Sequence, residues 1–223
     1  MSLEKKLYKR ERKQISSFLY DWYNQCMLFP FGGENTFRQK MTEMAPCSPN
    51  DTILDMCCGT GNSTFAIRKN VGINAKIIGV DLSRGRIKRA NIKNTWTNLF
   101  FLKADAAHTC FKNNYFDTVF IPHALHEMHR EMRKKVVQEA HRILKENGRI
   151  IIFEEDLSDK RKSRVMQNIW FGYWLPYPIN IEHITFHDMI RYGLINDVET
   201  IGFTNVKKIS MFQGMMQIIT GKK

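Results

Sequence analysis

The chain has 223 residues, enough for one domain with a substantial core, and its 43% hydrophobic and 25% charged residues suit an ordinary globular protein. Five cysteines (Cys26, Cys47, Cys57, Cys58, Cys110) are odd in number and lack CxxC or zinc-ligand spacing, which argues against a disulfide scaffold and a cysteine-based metal site. The net charge of +12 admits polyanions, anionic membrane surfaces and acidic substrates as partners, without selecting among them.

The N-terminus, "MSLEKKLYKRERKQ", has no apolar stretch of the secretory type, so a cytoplasmic location is expected. Residues 1–50 read as a helical cap segment: a basic helix, the aromatic run "FLYDWYN", the loop "FPFGG" and a further helix. The domain proper is expected over 51–223. There "TILDM" (52–56) predicts a buried strand, followed by a glycine turn and the helix "STFAIRKNV". "KIIGVD" (76–81) predicts a second strand, and Ser83 caps the helix after it. "NLFFLKAD" (98–105) and "YFDTVFIP" (115–122) predict the third and fourth strands.

Residues 129–145 carry Met132, Val136, Ala140, Ile143 and Leu144 at helical spacing, with "NG" at 147–148 as the stop and "RIIIFEE" (149–155) as the fifth strand. Residues 157–185 predict an insertion whose aromatic, proline-bearing run "IWFGYWLPYP" covers the substrate. At about half the roughly 20 residues a membrane span needs, that run predicts no crossing. "FTNVKKIS" and "GMMQIITG", separated by "MFQ", predict a hairpin that puts an antiparallel strand at one end of the sheet. The alternation predicts an α/β fold: a Rossmann-like, seven-stranded, mostly parallel sheet with one antiparallel strand and helices on both faces.

The stretch "ILDMCCGTGNS" (53–63) sets the chemistry. Gly59 and Gly61 permit a tight turn and close backbone approach, and the following helix points free N–H groups and its positive dipole end to the same place. Asp55 closes the strand before the turn. Asp81 ends the next strand, placed to accept both hydroxyls of a ribose, and Asp105 follows the third, placed to pair with an adenine amino group. A dinucleotide requires a complete GxGxxG, whose third glycine is missing here. An acidic strand end suits a cationic, phosphate-free ligand better, and S-adenosylmethionine (SAM) has that character.

"ILDMCCGTGNS", "IIGVDLS", "LKADA", "FDTVFIPHALHEM" and "EAHRILKENGRIIIFEED" resemble the successive motifs of class I SAM-dependent methyltransferases, in order and spacing across 52–156. "YDWYNQCMLFPFGGENTFR" is similar to the segment before the first motif in the ubiquinone/menaquinone-biosynthesis C-methyltransferases. The resemblance implies that Asp55, Gly59 and Gly61, with Cys57 in the turn, hold the methionine end of SAM. It implies Asp81 on the ribose, Leu82 against the adenine, and Asp105 and Ala106 on the adenine edge. His123 would lie beside the cofactor, and Tyr20 and Arg38 would close over it. Many family members carry glycine or alanine where this chain has Cys57, and cysteine is small enough to serve.

His123 and His126, in "PHALHEMH", are the candidate catalytic residues, as imidazoles near the methyl group. With His129 they also invite a metal reading, but no carboxylate or cysteine constellation in the sequence completes a site, so no metal is expected. Of Glu154, Glu155 and Asp156, one is expected to face the substrate. The expected activity is methyl transfer from SAM to a small apolar or aromatic molecule, with quinone-precursor C-methylation favoured over N- or O-methylation, leaving S-adenosylhomocysteine (SAH). A nucleic-acid partner is not expected, while peripheral contact with an anionic membrane fits the basic clusters. The alternatives are a methyltransferase acting on RNA or an anionic lipid, and a non-catalytic SAM-binding protein.

Overall fold

A computed structural model describes residues 21–22, 25–26, 28–45, 47–171 and 182–223. Seven strands form one sheet: β1 (Thr52–Met56), β2 (Lys76–Asp81), β3 (Leu99–Lys103), β4 (Phe116–Pro122), β5 (Leu144–Glu155), β6 (Thr204–Met211) and β7 (Met216–Lys222). Their order is β3-β2-β1-β4-β5-β7-β6. The chain winds outward from β1 to β3, then returns beside β1 as β4. This leaves a crevice where the order reverses, at the carboxyl ends of β1 and β4.

The helices are α1 (Gly33–Glu43), α2 (Asn62–Val71), α3 (Arg84–Lys93), α4 (Arg130–Ile143), α5 (Arg161–Phe171), α6 (Glu182–Tyr192) and α7 (Leu194–Ile201). Side-chain alternation along the strands divides the core into two layers. Leu54, Val80, Val119 and Ile152 pack with α4, α6 and α7 on one face. Ile53, Ile77, Phe120 and Ile151 pack with α1, α2 and α3 on the other. Strands buried on both faces explain the nearly continuous apolar runs in the sequence.

The bounds of β1 and β2 match those predicted from sequence, and Ser83 accepts a hydrogen bond from the Arg86 amide at 3.3 Å as the cap of α3. Two expectations are corrected. The reversed strand, β7, lies between β5 and β6, one place in from the edge, because the hairpin closes with its second strand against β5. The helix before β5 ends at Ile143, and "NG" lies inside the strand. Leu144 pairs with Phe116, the chain loops out, and pairing resumes at Arg149 with Thr118. Asn147 at φ +63° turns that bulge, and at Gly148 a Cβ would sit 2.7 Å from the Lys145 carbonyl oxygen. The predicted aromatic cap (169–178) lies outside the described residues, apart from the α5 backbone at 169–171. Among the described residues, no helix is long and apolar enough to cross a membrane.

Candidate active site

The turn after β1 is built by backbone geometry. Cys57, Gly59 and Gly61 all take positive φ (+65°, +58° and +87°), reversing the chain within five residues so that α2 starts directly behind the strand end. The Cys58 amide donates to the Val80 carbonyl at 2.9 Å, tying the turn to β2. At Gly61 a Cβ would lie 2.7 Å from Phe101 Cζ and 3.2 Å from Phe65 Cε2, on a backbone that already disfavours a side chain. Gly61→Ala is therefore expected to cost about 1–3 kcal/mol in thermal unfolding and to weaken SAM binding. Adding Phe101→Leu should recover part of the loss, the steric part.

Both turn cysteines sit where a thiolate is disfavoured. Burial pushes the Cys57 and Cys58 thiols well above their ordinary value, with the carboxylates of Asp55 and Asp81 adding to the effect. Neutral thiols are neither nucleophiles nor metal ligands, which leaves small size as the property used here.

Asp55 is fully buried. Its Oδ2 accepts from the Thr64 hydroxyl at 2.6 Å, while its Oδ1 is buried without a hydrogen-bond partner. Burial pushes the carboxyl up to about 7; the Thr64 hydroxyl and the Arg38 charge oppose this, and Asp81 adds to it. With a folded-state value above the unfolded one of about 3.9, the group's contribution to stability is complete in acid. That contribution is lost as pH rises through about 7. A cationic ligand group binds the ionised form, so SAM affinity should rise between about pH 6 and 8 and then level off. Calorimetry across that range checks this, and Asp55→Asn should flatten the profile.

Asp81 ends β2 and bridges two turns: Oδ2 accepts from the Gly59 amide at 2.9 Å and Oδ1 from the Ser83 amide at 2.8 Å. Each oxygen keeps a lone pair for a ribose hydroxyl. Leu82, half exposed, follows it, as an adenine support would. Asp105 accepts from the Ala107 amide at 2.9 Å, next to buried Ala106. An orphaned carboxylate oxygen, a turn with no room for a side chain at Gly61 and an acidic end on β2 together fit SAM.

The comparisons agree with that fit. A family described as "Methyltransferase domain" matches residues 53–148. A demethylmenaquinone methyltransferase of Symbiobacterium thermophilum is 31% identical over 77% of this chain and 67% of its own length. The corresponding enzyme of Lactobacillus johnsonii is 26% identical over the whole of this chain and 98% of its own. The crystal structure of a SAM-dependent methyltransferase from Aquifex aeolicus superposes with a TM-score of 0.68 at 15% identity. It covers 94% of this chain and 99% of that one, and it shows the shared fold. The chain belongs to the class I SAM-dependent methyltransferases. Within them its relatives are those of the quinone-biosynthesis group.

In the methyltransferase, the segment before β1 grips the outside of the glycine turn. Arg38, on α1, pairs with Glu34 at 2.8 Å and donates to the Ser63 hydroxyl at 2.5 Å, in the first turn of α2. Asn62 donates to Glu34 at 2.7 Å and accepts from Lys93 at 2.6 Å, tying α1, α2 and α3 together. Tyr20 lies outside the described residues. Its neighbour Asp21, which the sequence reading did not select, accepts from the Thr60 hydroxyl at 2.5 Å and pairs with Arg89 and Lys93. Burial alone would raise the Asp21 carboxyl, but Thr60 and the two cations hold it below its ordinary value. Its place beside Tyr20 in "YDWYNQCMLFPFGGENTFR", the segment that resembles the one before the first motif, was the available signal.

At the end of β4 the two candidate histidines part company. His126 is buried, and its Nδ1 lies 2.8 Å from Glu154 Oε2. Burial works against its charge, yet Glu154 and then Glu155 hold it protonated well above the ordinary imidazole value. In the same way burial would raise Glu154, and the His126 cation instead brings it to about 2. His126 is thus committed to Glu154. His123 keeps 30% of its side chain exposed, its ring 4.6 Å from that of His126 and its Nε2 3.2 Å from Glu155 Oε1. Of the three acidic residues that end β5, Glu155 is the one beside His123, while Asp156 pairs with Lys208 at 2.7 Å. His129 and Glu127 are exposed.

Proposed function

We propose that the methyltransferase alkylates a ring carbon of a small, flat, apolar acceptor of the quinone-precursor class. The observation that carries this reading is an aromatic wall beside His123. Phe37 packs edge-on to Phe153 with centroids 5.1 Å apart and stacks on Phe212 at 5.2 Å, and its ring is also edge-on to His123 at 6.5 Å. Phe212, on the β6–β7 turn, is only partly buried and stands at the edge of this cluster, with Lys40 Nζ 5.4 Å from its ring centre. Phe37 and Phe153 are buried, so they back this corner with apolar volume. An apolar corner favours an aromatic ring over a hydrated headgroup or a phosphate backbone. That two relatives are demethylmenaquinone methyltransferases supports the same reading.

When bound, SAM would supply an electrophilic methyl on a sulfonium: the ring C–CH3 bond would form as the S–CH3 bond breaks to leave neutral SAH. The ring proton displaced would pass to His123 or Glu155, the proton acceptors at this corner. The chain's own part is positioning. Asp55 holds the cationic methionine end, Asp81 the ribose, and Asp105 with Ala106 the adenine edge. Phe212 would meet the acceptor ring, and the buried Phe37, itself packed on buried Phe153, holds Phe212 in place. His123 and Glu155 face the acceptor's polar substituents, and His126 with Glu154 fixes the loop that carries His123.

The purified protein, offered methyl-labelled SAM with a panel of acceptors, tests this reading. A prenylated naphthoquinol should be methylated on ring carbon, faster than phenolic, amine or RNA acceptors. Preferential labelling of an amine, or of RNA, would overturn it.

A further inference from the structure

Three side chains at the carboxyl edge have donor chemistry that cofactor binding leaves unused. His123, His126 and Glu155 bring one nitrogen from each imidazole and one carboxylate oxygen within 4.8 Å of one another. The β4–β5 pairing makes this juxtaposition. Pro122 lies opposite Phe153, and the His123 amide donates to the Phe153 carbonyl at 2.6 Å, so the residues following both strands share one corner. Sequence spacing supplied only the HxxH pair; the third donor comes from a strand 29 residues further along.

Four features set this corner apart from an ordinary ion pair. Two imidazoles and one carboxylate are the protein ligands of open zinc sites and of non-haem ferrous sites, both of which leave a position for an exogenous oxygen. His126 carries the outer carboxylate such ligands require. Glu154 Oε2 takes Nδ1, leaving Nε2 as the nitrogen available for a ligand bond, and Glu154 Oε1 is itself fixed by the Ala124 and Leu125 amides at 2.6 and 2.5 Å. Glu155 is 98% buried, and its Oε2 and His123 Nε2 are both buried atoms without a hydrogen-bond partner, an arrangement a cation would satisfy. His123 adopts φ +54°, an unfavourable backbone for a residue with a side chain, which turns its ring into the cluster.

We propose that His123, His126 and Glu155 bind a divalent transition-metal ion of the zinc or ferrous class, with its open position facing the acceptor. Glu154 and Glu155 supply two negative charges, so the corner is neutral when the dication has replaced the Nε2 proton of His126. Donors around a tetrahedral ion stand about 3.4 Å apart for bonds of about 2.1 Å, so small rotations of the two rings close the site. The ion would grip an acceptor oxygen next to the carbon to be methylated. That role rests on the acceptor reading above; the metal affinity does not.

The test is a titration of the metal-stripped full chain with Co2+, followed by its visible ligand-field absorption, with Zn2+ as competitor and metal content measured after dialysis. The expected result is one equivalent of Co2+ in a low-symmetry site, displaced by Zn2+. Affinity should fall at least about tenfold in Glu155→Gln and in His123→Ala. SAH calorimetry on the same samples reports folding and the cofactor site separately. A variant that binds SAH but not Co2+ supports the metal site, whatever the acceptor proves to be. Absence of stoichiometric Co2+ binding by the wild-type protein overturns the proposal, as does binding that survives both substitutions, which would mark an ion held elsewhere.

Discussion

Replacing Asp81 with alanine is expected to weaken SAM and SAH binding alike, by about a hundredfold or more. The carboxylate accepts from the Gly59 and Ser83 amides and so holds the glycine turn against the start of α3, and in the proposed binding mode its remaining lone pairs take the ribose hydroxyls. Charge-assisted hydrogen bonds contribute about 1.5–3 kcal/mol each, and about 1.4 kcal/mol corresponds to tenfold in affinity. Two such bonds to the ribose therefore account for the hundredfold, and loosening of the turn adds to it. Because the change is remote from sulfur, SAM and SAH should lose equally. Asp81→Asn keeps one acceptor oxygen and should lose less. Calorimetry with both ligands checks the ratio, and a loss confined to SAM would mean that Asp81 acts on the sulfonium instead.

Glu154→Ala is the second large effect, and it acts on stability. Glu154 is fully buried and satisfies the Ala124 and Leu125 amides and His126 at once. Its removal strands a buried imidazolium and two backbone donors, a defect that costs about 3–5 kcal/mol. For a domain of this size that lowers Tm by on the order of 10 °C. Glu154→Gln, which keeps the shape and one acceptor, should fall less. A change of only a degree or two in the alanine variant would show that the loop after β4 is held by other contacts.

How much of this was legible in the sequence follows from how local each feature is. β1 and β2 could be bounded because each is a short apolar run that meets a break, the glycine turn after Met56 and the charged Asp81. The acids near those ends, Asp55 and Asp81, are the ones proposed to meet the ligand. The glycine turn was legible for the same reason, since its geometry depends on the residues within it. "NG" misled because a two-residue stop signal reads the same whether it ends a helix or turns a bulge; only the pairing of Leu144 with Phe116 separates the two. Hairpin adjacency in sequence likewise does not say which of the two strands meets β5.

In the site, residue type was legible and partnership was not. Glu154, Glu155 and Asp156 are three consecutive acids, and their assignment to His126, His123 and Lys208 follows from strand register and from β6, a segment some 50 residues distant. Asp21 meets Thr60, Arg89 and Lys93 across separations of 39 to 72 residues, which no local pattern encodes. The cysteines show the reverse case. They are conspicuous in sequence, yet the positive φ at Cys57 and the burial of Cys58 give them a role in the backbone turn.

The central claim, that this chain moves a methyl group from SAM to a small apolar acceptor, is tested most directly by one labelling experiment. Purified protein and methyl-labelled SAM are incubated with a reduced cell extract, the product is partitioned, and the labelled species is identified by mass spectrometry. The account predicts label in the organic phase on a quinol ring carbon, and loss of that label with Asp81→Ala. Label confined to acid-precipitable RNA, or no transfer by a protein that binds SAM, would contradict it.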